Sequence, residues 1–482
     1  MELEEAICEQ ARLARDPRFD GRFFIGVTST GVYCRPICPS PHAKRSHVCY
    51  FPTAAAAADA GFRPCLRCRP EVAPGTSAWL GTSDTVQHAL RLISDGTLDQ
   101  GDVDSLAARV GVSARHLSRL FMQHLGTRPI AVAQTRRLHF AKQLISDTDL
   151  PMSQVALISG FQSIRRFNDL IRKVYGRSPS QLRKLTEAVK PSLKAEEYVF
   201  QLGYRPPYDW ESLLVFLSAR ATPGVESVQD GRYYRSIRLD GHCGTIEVCP
   251  VPDRHALQIR IRFPEPSYLL TIITRLRSMF DLAADPEIVA AHLVRDPLLE
   301  PFVKHFPGLR LPGSWDGFEM TVRAILGQQI RVQSATLLAG RLAREFGTPL
   351  KTSAAPGITH AFPDANSLAQ AEIKGLPETR KRAIQSLARA VAGGRLIFDA
   401  TLTGGDLPEC FKNINGIGDW TIQYVAMRVL NDPNAFPAPD RVLRRAAGQD
   451  ELLTPHALHR RAEAWKPWRA YAAMYLWRGA TN

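Results

Sequence analysis

The chain has 482 residues, 45% hydrophobic and 22% charged, and its net charge of +14 favours a polyanionic partner. Its nine cysteines are too few and too unevenly spaced for a disulfide framework, and no apolar run approaches the ~18 residues of a membrane helix. The charged opening MELEEAICEQARLARD carries no secretory signal, so the expectation is a cytoplasmic, reduced protein without membrane contact.

The first elements hold the densest chemistry. Cys34 and Cys38 in GVYCRPICPS make C-x3-C, and Cys65 and Cys68 in GFRPCLRCRP make C-x2-C. Two tight turns of this kind aim four thiolates at one ion, which predicts a single Zn2+ site with four cysteine ligands. Spacing alone does not separate a reactive cysteine among the four from a purely structural zinc. Cys8, Cys49, Cys243, Cys249 and Cys410 read as ordinary core or surface residues. The alanine run 54–58, behind Pro52 and Thr53, reads as a helix start.

Turn-rich stretches at 72–84 and 187–197 mark domain boundaries, and a third at 305–317 reads as a loop between two lobes of one enzyme. The expected domains are 1–75, 80–187, 197–305 and 306–482. Net charge is +2 over 1–75, +6 over 76–187 and +6 over 188–482, so positive charge is densest in the short middle segment. Contact with double-stranded DNA is expected there first.

Residues 85–185 read as mostly helical. Leu106 and Val110 precede a turn at Gly111, then Ser113 caps a helix with Leu117, Leu120 and Phe121 on its apolar face. The pattern repeats with a turn at Gly160, a cap near Ser163, and Phe167, Leu170 and Ile171. Two such units joined by a long helix near 129–146 resemble an AraC-type DNA-binding domain. Their second helices offer Arg115, His116 and Arg119, then Arg165, Arg166 and Asn168, to a major groove. Residues 198–265 alternate apolar and polar positions, as in HALQIRIRF, and predict a small antiparallel sheet. From about Pro266 the pattern is helical. The fold class expected is multidomain α+β: a small zinc domain, an all-α double helix-turn-helix domain, an α+β lobe and an all-α lobe.

Near the carboxyl end, LPECFKNINGIGDWTIQYVAMRVL reads as helix, tight turn with Gly416 and Gly418, and helix. Backbone N–H groups of such a hairpin can hold a phosphate without reading sequence. Asp440 follows in a loop bearing Pro433, Pro437 and Pro439, an order that resembles that of helix-hairpin-helix glycosylases.

Two family resemblances carry the functional reading. GVYCRPICPSPHAKRSHVCYF and AGFRPCLRCRPE closely match the amino-terminal domain of Ada, and the match extends over roughly 5–185. It implies that Cys34 accepts a methyl group from a methyl phosphotriester in DNA. Methylation would remove one negative charge from the thiolate cluster, reduce its repulsion of DNA phosphates and so switch transcription on, with RNA polymerase as a further partner. The PCHR motif of longer Ada proteins is absent, so O6-methylguanine transfer is not expected.

Residues 204–477 resemble AlkA-type 3-methyladenine DNA glycosylases, from YRPPYDWESLLVFLSARA through VRAILGQQI to AEAWKPWRAYAAMYLW. The resemblance implies that Asp440 is the catalytic carboxylate, that Trp420, Tyr424 and Trp477 line the base pocket, and that Gln329 stands where the AlkA family inserts a leucine wedge. Relatives that also cut the strand carry a lysine where Trp420 stands, so a monofunctional hydrolase is expected. No organic cofactor is implied, and no cysteine follows Cys410 to hold an iron–sulfur cluster. The expected protein is a monomer on the nucleoid that senses alkylated phosphates and excises alkylated purines. The alternatives are a regulator with an inactive glycosylase half, or a glycosylase whose front half only tethers it to DNA.

Overall fold

A computed structural model describes residues 4–74, 84–185, 196–350, 355–399, 402–449 and 451–480. Most of the seams at 72–84 and 187–197 lies outside the described residues.

The cysteine-bearing segment forms a four-stranded sheet in which Phe24–Val27 lies between Val48–Phe51 and Val32–Cys34, both antiparallel to it. Arg63–Pro64 joins the edge in parallel, with Val32 opposite Arg63 and Tyr33 opposite Pro64. That parallel pairing places the turn after Cys34 beside the turn after Cys65. The alanine helix forms as expected over Ala54–Asp59, its first turn capped by the Thr53 hydroxyl accepting from the Ala56 N–H.

Both helix-turn-helix units form. Helices Val103–Arg109 and Ala114–Leu125 make the first, and Met152–Ile158 and Ile164–Tyr175 the second. Ser113 and Ser163 cap the second helix of each, and Gly111 and Gly160 turn the chain at φ +75° and +80°, where a side chain would be strained. The joining helix runs Pro129–Asp147. The first unit packs on its own core of Leu106, Leu117 and Phe121. The second shares one apolar core with everything that follows, from Phe167 and Ile171 through Ile246 and Ile259 to Leu476. Apolar contact therefore continues across the seam at 187–197.

The α+β lobe is a five-stranded antiparallel sheet in the spatial order Glu197–Gly203, Ala256–Arg262, His242–Pro250, Arg232–Leu239, Glu226–Gln229. Alternation shows as predicted: Ile246, Val248, Ile259 and Ile261 are buried between polar neighbours. Alternation gives no sign of the helix Trp210–Ser218, which lies between the first two strands in sequence. The sheet is tied to helix Gly317–Gly327 by buried charges: Arg235 donates to Glu319 at 2.6 Å and Arg323 pairs with Glu226 at 2.8 Å. Arg323 also pairs with Glu319 at 3.0 Å and Arg235 with Glu226 at 3.6 Å, so the four charges form one network, and removing one member would leave it with an uncompensated buried charge at a cost of about 3–5 kcal/mol.

The zinc-type sheet is not a bead on a string. Arg69 pairs with Asp147 at 2.8 Å and Lys142 with Glu71 at 3.7 Å, so the long helix is clamped to the segment that follows Cys68. Arg22 binds Asp285 and Arg18 binds Glu287 at 3.0 Å, reaching the helical part beyond the sheet. Tyr33 Oη and His139 Nε2 share a hydrogen bond of 2.7 Å across the long-helix contact. Burial holds the His139 imidazole down to about 4, against the pull of Glu71. Since that value lies below the ordinary 6.5, the folded state loses stability as pH falls from about 6.5 through 4. The unfolding temperature of the protein is expected to drop more steeply across that window than that of His139→Gln. Parallel curves would exclude His139 as the titrating group.

Candidate functional sites: a thiol cluster and an aspartate between two tryptophans

The Sγ atoms of Cys34, Cys38, Cys65 and Cys68 all lie within 4.8 Å of one another, and Cys38 and Cys65 are 4.0 Å apart. A tetrahedron with Zn–S bonds of about 2.3 Å has edges near 3.8 Å, so the set fits one Zn2+. Mutual hydrogen bonding splits the thiols. It pushes Cys34 and Cys68 up, holds Cys38 far below its ordinary value and brings Cys65 down to about 6. Four thiols so close cannot all ionise without a cation between them.

Exposure does not single out one sulfur, since the four residues range only from 7% to 9%. Their donors differ. Cys38 takes a hydrogen bond from the Ser40 side chain, Cys65 from the Cys68 backbone, and Cys68 from the Arg35 N–H at 3.4 Å. The largest influences on Cys34 come from the other three cysteines, ahead of burial. Arg35 is fixed in turn by its pairing with Asp20 and by donating to the Cys68 carbonyl at 2.9 Å.

The second site is built by three helices. Asp440 is the N-cap of Arg441–Gly448, and its Oδ1 accepts from the backbone N–H groups of Val442 (2.9 Å) and Leu443 (3.0 Å). Trp477, on helix Arg469–Gly479, donates its indole N–H to the same oxygen at 3.2 Å. Trp420 donates to Oδ2 at 3.0 Å. It stands one turn before Tyr424 on helix Asp419–Val429, and the two rings stack at 5.0 Å with only 8° between their planes. Trp477 meets Tyr424 edge-on, centroids 6.3 Å apart. Asp440, Trp420, Tyr424 and Trp477, separated by up to 57 positions in the chain, thus form one cluster. Gly416, at φ +96°, turns the hairpin that precedes the Trp420 helix, and Gly418 caps that helix.

Three arginines behind this cluster, Arg428, Arg220 and Arg323, are absent from the sequence reading. Arg428 donates to Tyr424 Oη at 2.7 Å and is itself anchored on the Pro312 carbonyl at 2.6 Å. Burial would raise the Tyr424 phenol, but Arg428, Arg220 and Arg323 outweigh it and bring it below its ordinary value. Arg428 lies four residues from Tyr424, a spacing that places both on one helix face, so it was findable. Arg220 comes from the other lobe and carries no local signal.

The remaining expected contacts are spread over three surfaces. Gln329 is exposed between helices Gly317–Gly327 and Val332–Phe346. On the first recognition helix Arg115 and Arg119 are exposed, and Arg119 Nη2 meets His116 Nδ1 at 3.0 Å. On the second, Arg165 and Arg166 are exposed and Asn168 partly so, with Asp169 lying 4.0 Å from Arg165.

Comparison with known proteins agrees with this layout. A family model described as the metal binding domain of Ada matches 7–71, a helix-turn-helix domain model matches 106–185, and the AlkA N-terminal domain model matches 199–316. A Mycobacterium tuberculosis protein named "Probable bifunctional transcriptional activator/DNA repair enzyme AlkA" is 39% identical over 98% of this chain and 95% of its own. The chain belongs to the bifunctional Ada/AlkA family. Each half of this Ada/AlkA chain also has separate relatives. DNA-3-methyladenine glycosylase 2 of Escherichia coli is 35% identical over 58% of the chain and 96% of its own length. The bifunctional transcriptional activator/DNA repair enzyme Ada of the same organism is 34% identical over 36% of the chain and 48% of its own. The solved 3-methyladenine DNA-glycosylase from Archaeoglobus fulgidus shares the fold of the carboxyl-terminal part. It has a TM-score of 0.51 at 22% identity and covers 58% of this chain and 98% of that one. Among the described residues no helix is long and apolar enough to cross a membrane.

Proposed function

We propose that this protein couples a methyl-accepting transcription regulator to a monofunctional DNA glycosylase that hydrolyses the N-glycosidic bond of alkylated purines such as 3-methyladenine. The observation that carries the enzymatic half is the Asp440 carboxylate held by two indole N–H groups beside the stacked Trp420–Tyr424 pair. An N3- or N7-alkylated purine is cationic and leaves without protonation. Its C1′–N bond breaks, the electron pair neutralises the base, and positive charge develops on the sugar where Asp440 opposes it. Water then adds to C1′, and its proton passes to the carboxylate or to solvent. Flipping the base out costs about a few kcal/mol, less for a poorly paired lesion, and the aromatic faces recover part of that by stacking on the cation.

In the front half the four sulfurs hold Zn2+, which keeps them ionised at neutral pH. Cys34 Sγ attacks the methyl carbon of the phosphotriester. The methyl C–O bond breaks and its electron pair stays on the phosphate oxygen, restoring an anionic diester. The outside donors on Cys38, Cys65 and Cys68 reduce the nucleophilicity of those three sulfurs, which supports Cys34 as the acceptor. Arg115, His116, Arg119, Arg165, Arg166 and Asn168 read the promoter, and the Gly416–Gly418 hairpin holds a phosphate beside the lesion. Domains at 1–75, 80–187, 197–305 and 306–482, a monomeric state, action with RNA polymerase and a cytoplasmic, nucleoid-bound location complete the reading. Intact-protein mass spectrometry after incubation with methylated DNA tests the sensor half, and release of free base from the same DNA tests the enzyme.

Trp477→Phe keeps an aromatic wall and removes one donor from Asp440. Single-turnover base release is expected to slow by about tenfold, the scale of a hydrogen bond to a charged group, with the unfolding temperature little changed. An unchanged rate would remove Trp477 from the positioning of the carboxylate.

A further inference from the structure

The loop that carries Gln329 is fastened to the hairpin. Its neighbour Gln328 donates its side-chain amide to the Gly416 carbonyl at 2.8 Å and to Thr421 Oγ1 at 3.0 Å. The Gln328 backbone carbonyl in turn accepts from Arg380 Nη2 at 2.6 Å. Arg380 belongs to helix Glu378–Ala392, and a Cβ on Gly416 would stand 3.3 Å from Ala383 of the same helix, so hairpin and helix are in direct contact. Between these anchors Gln329 is exposed and held at φ +58°, a left-handed conformation that residues other than glycine rarely take. An outlier of this kind persists where its surroundings over-determine it.

We infer that Gln328, braced by Arg380, is a positioning residue that sets the offset between the phosphate-holding hairpin and the Gln329 side chain inserted into the gap left by a flipped base. The inference rests on the glycosylase reading above. Its physical basis is that a plug must enter the stack at a fixed distance from the gripped phosphate. A loop fastened to the hairpin backbone itself transmits that distance, whereas a loop held only by its own helices would not. The Gly416 carbonyl is the link, because it belongs to the turn whose N–H groups face the phosphate. The brace matters only when there is a gap to fill, so undamaged duplex is bound through the hairpin and the basic surface without it.

The test uses the full-length protein and a duplex in which a tetrahydrofuran abasic analogue faces 2-aminopurine, with the undamaged duplex as control. The parent protein is expected to prefer the abasic duplex and to change the 2-aminopurine fluorescence as the plug enters. Gln328→Met keeps the length of the side chain and removes its donors without adding charge. It is expected to lower the abasic preference about tenfold and suppress the fluorescence change, with affinity for undamaged duplex unaltered. Gln328→Ala should behave alike, which guards against an effect peculiar to methionine. Variants that retain both the preference and the fluorescence change would overturn the brace while leaving the glycosylase reading intact. A parent protein with no preference for the abasic duplex would overturn that reading and the brace with it.

Discussion

Asp440→Asn is expected to reduce release of alkylated purine by a thousandfold or more, on the scale of removing a preorganised group that meets transition-state charge. The substitution is isosteric, so the N-cap survives: the Asn oxygen still accepts from the Val442 and Leu443 N–H groups, as Oδ1 does now. What it removes is the charge facing the developing oxocarbenium ion. It also turns an NH2 toward the indole of Trp420, which now donates to Oδ2, so two donors meet where donor and acceptor met before. Single-turnover assays on methylated duplex, with binding to an abasic duplex measured in parallel, separate lost chemistry from lost affinity. Release within tenfold of the parent rate would sink the assignment of Asp440.

The second large effect is expected at the thiol cluster. Cys34→Ala should abolish methyl transfer from phosphotriesters, because the three remaining sulfurs each carry an outside hydrogen bond. Labelled methyl still arriving on the protein would place the acceptor elsewhere in the cluster. Zinc removal by a strong chelator should go further. The cores around Phe23 and Tyr33 are small, and a zinc ion held by four cysteines supplies of order 10 kcal/mol of folding free energy. The front sheet is therefore expected to unfold on chelation, with loss of methyl transfer. Base release should persist, since all four groups of the Asp440 cluster belong to 419–477. Loss of base release on chelation would show that the front sheet supports the enzyme through Arg22–Asp285 and Arg18–Glu287.

Much of both sites was legible because their signals are local. Cysteines three and four positions apart announce ligands, since a single turn can aim both at one ion. Serine caps at 113 and 163, each followed by apolar residues at helical spacing, announce the paired helices, and the Gly416–Gly418 turn announces the hairpin. Assigning roles to Asp440, Trp420, Tyr424 and Trp477 took family resemblance, because periodicity does not separate a pocket aromatic from a core one. The helix Trp210–Ser218 escaped the reading because its nine residues sit inside a region of alternating strands.

By itself the sequence determined which side chains could ligate, cap, turn or alternate, because those properties depend on neighbours within about one helical turn or one hairpin. Only the tertiary structure decided which of them meet. The parallel pairing of Tyr33 with Pro64 brings the two cysteine turns together, three separate helices deliver both indoles to one carboxylate, and Gln328 reaches the Gly416 carbonyl. These contacts span up to 88 positions, and their register is set by the packing of a shared core whose long-range complementarity no short window of residues contains.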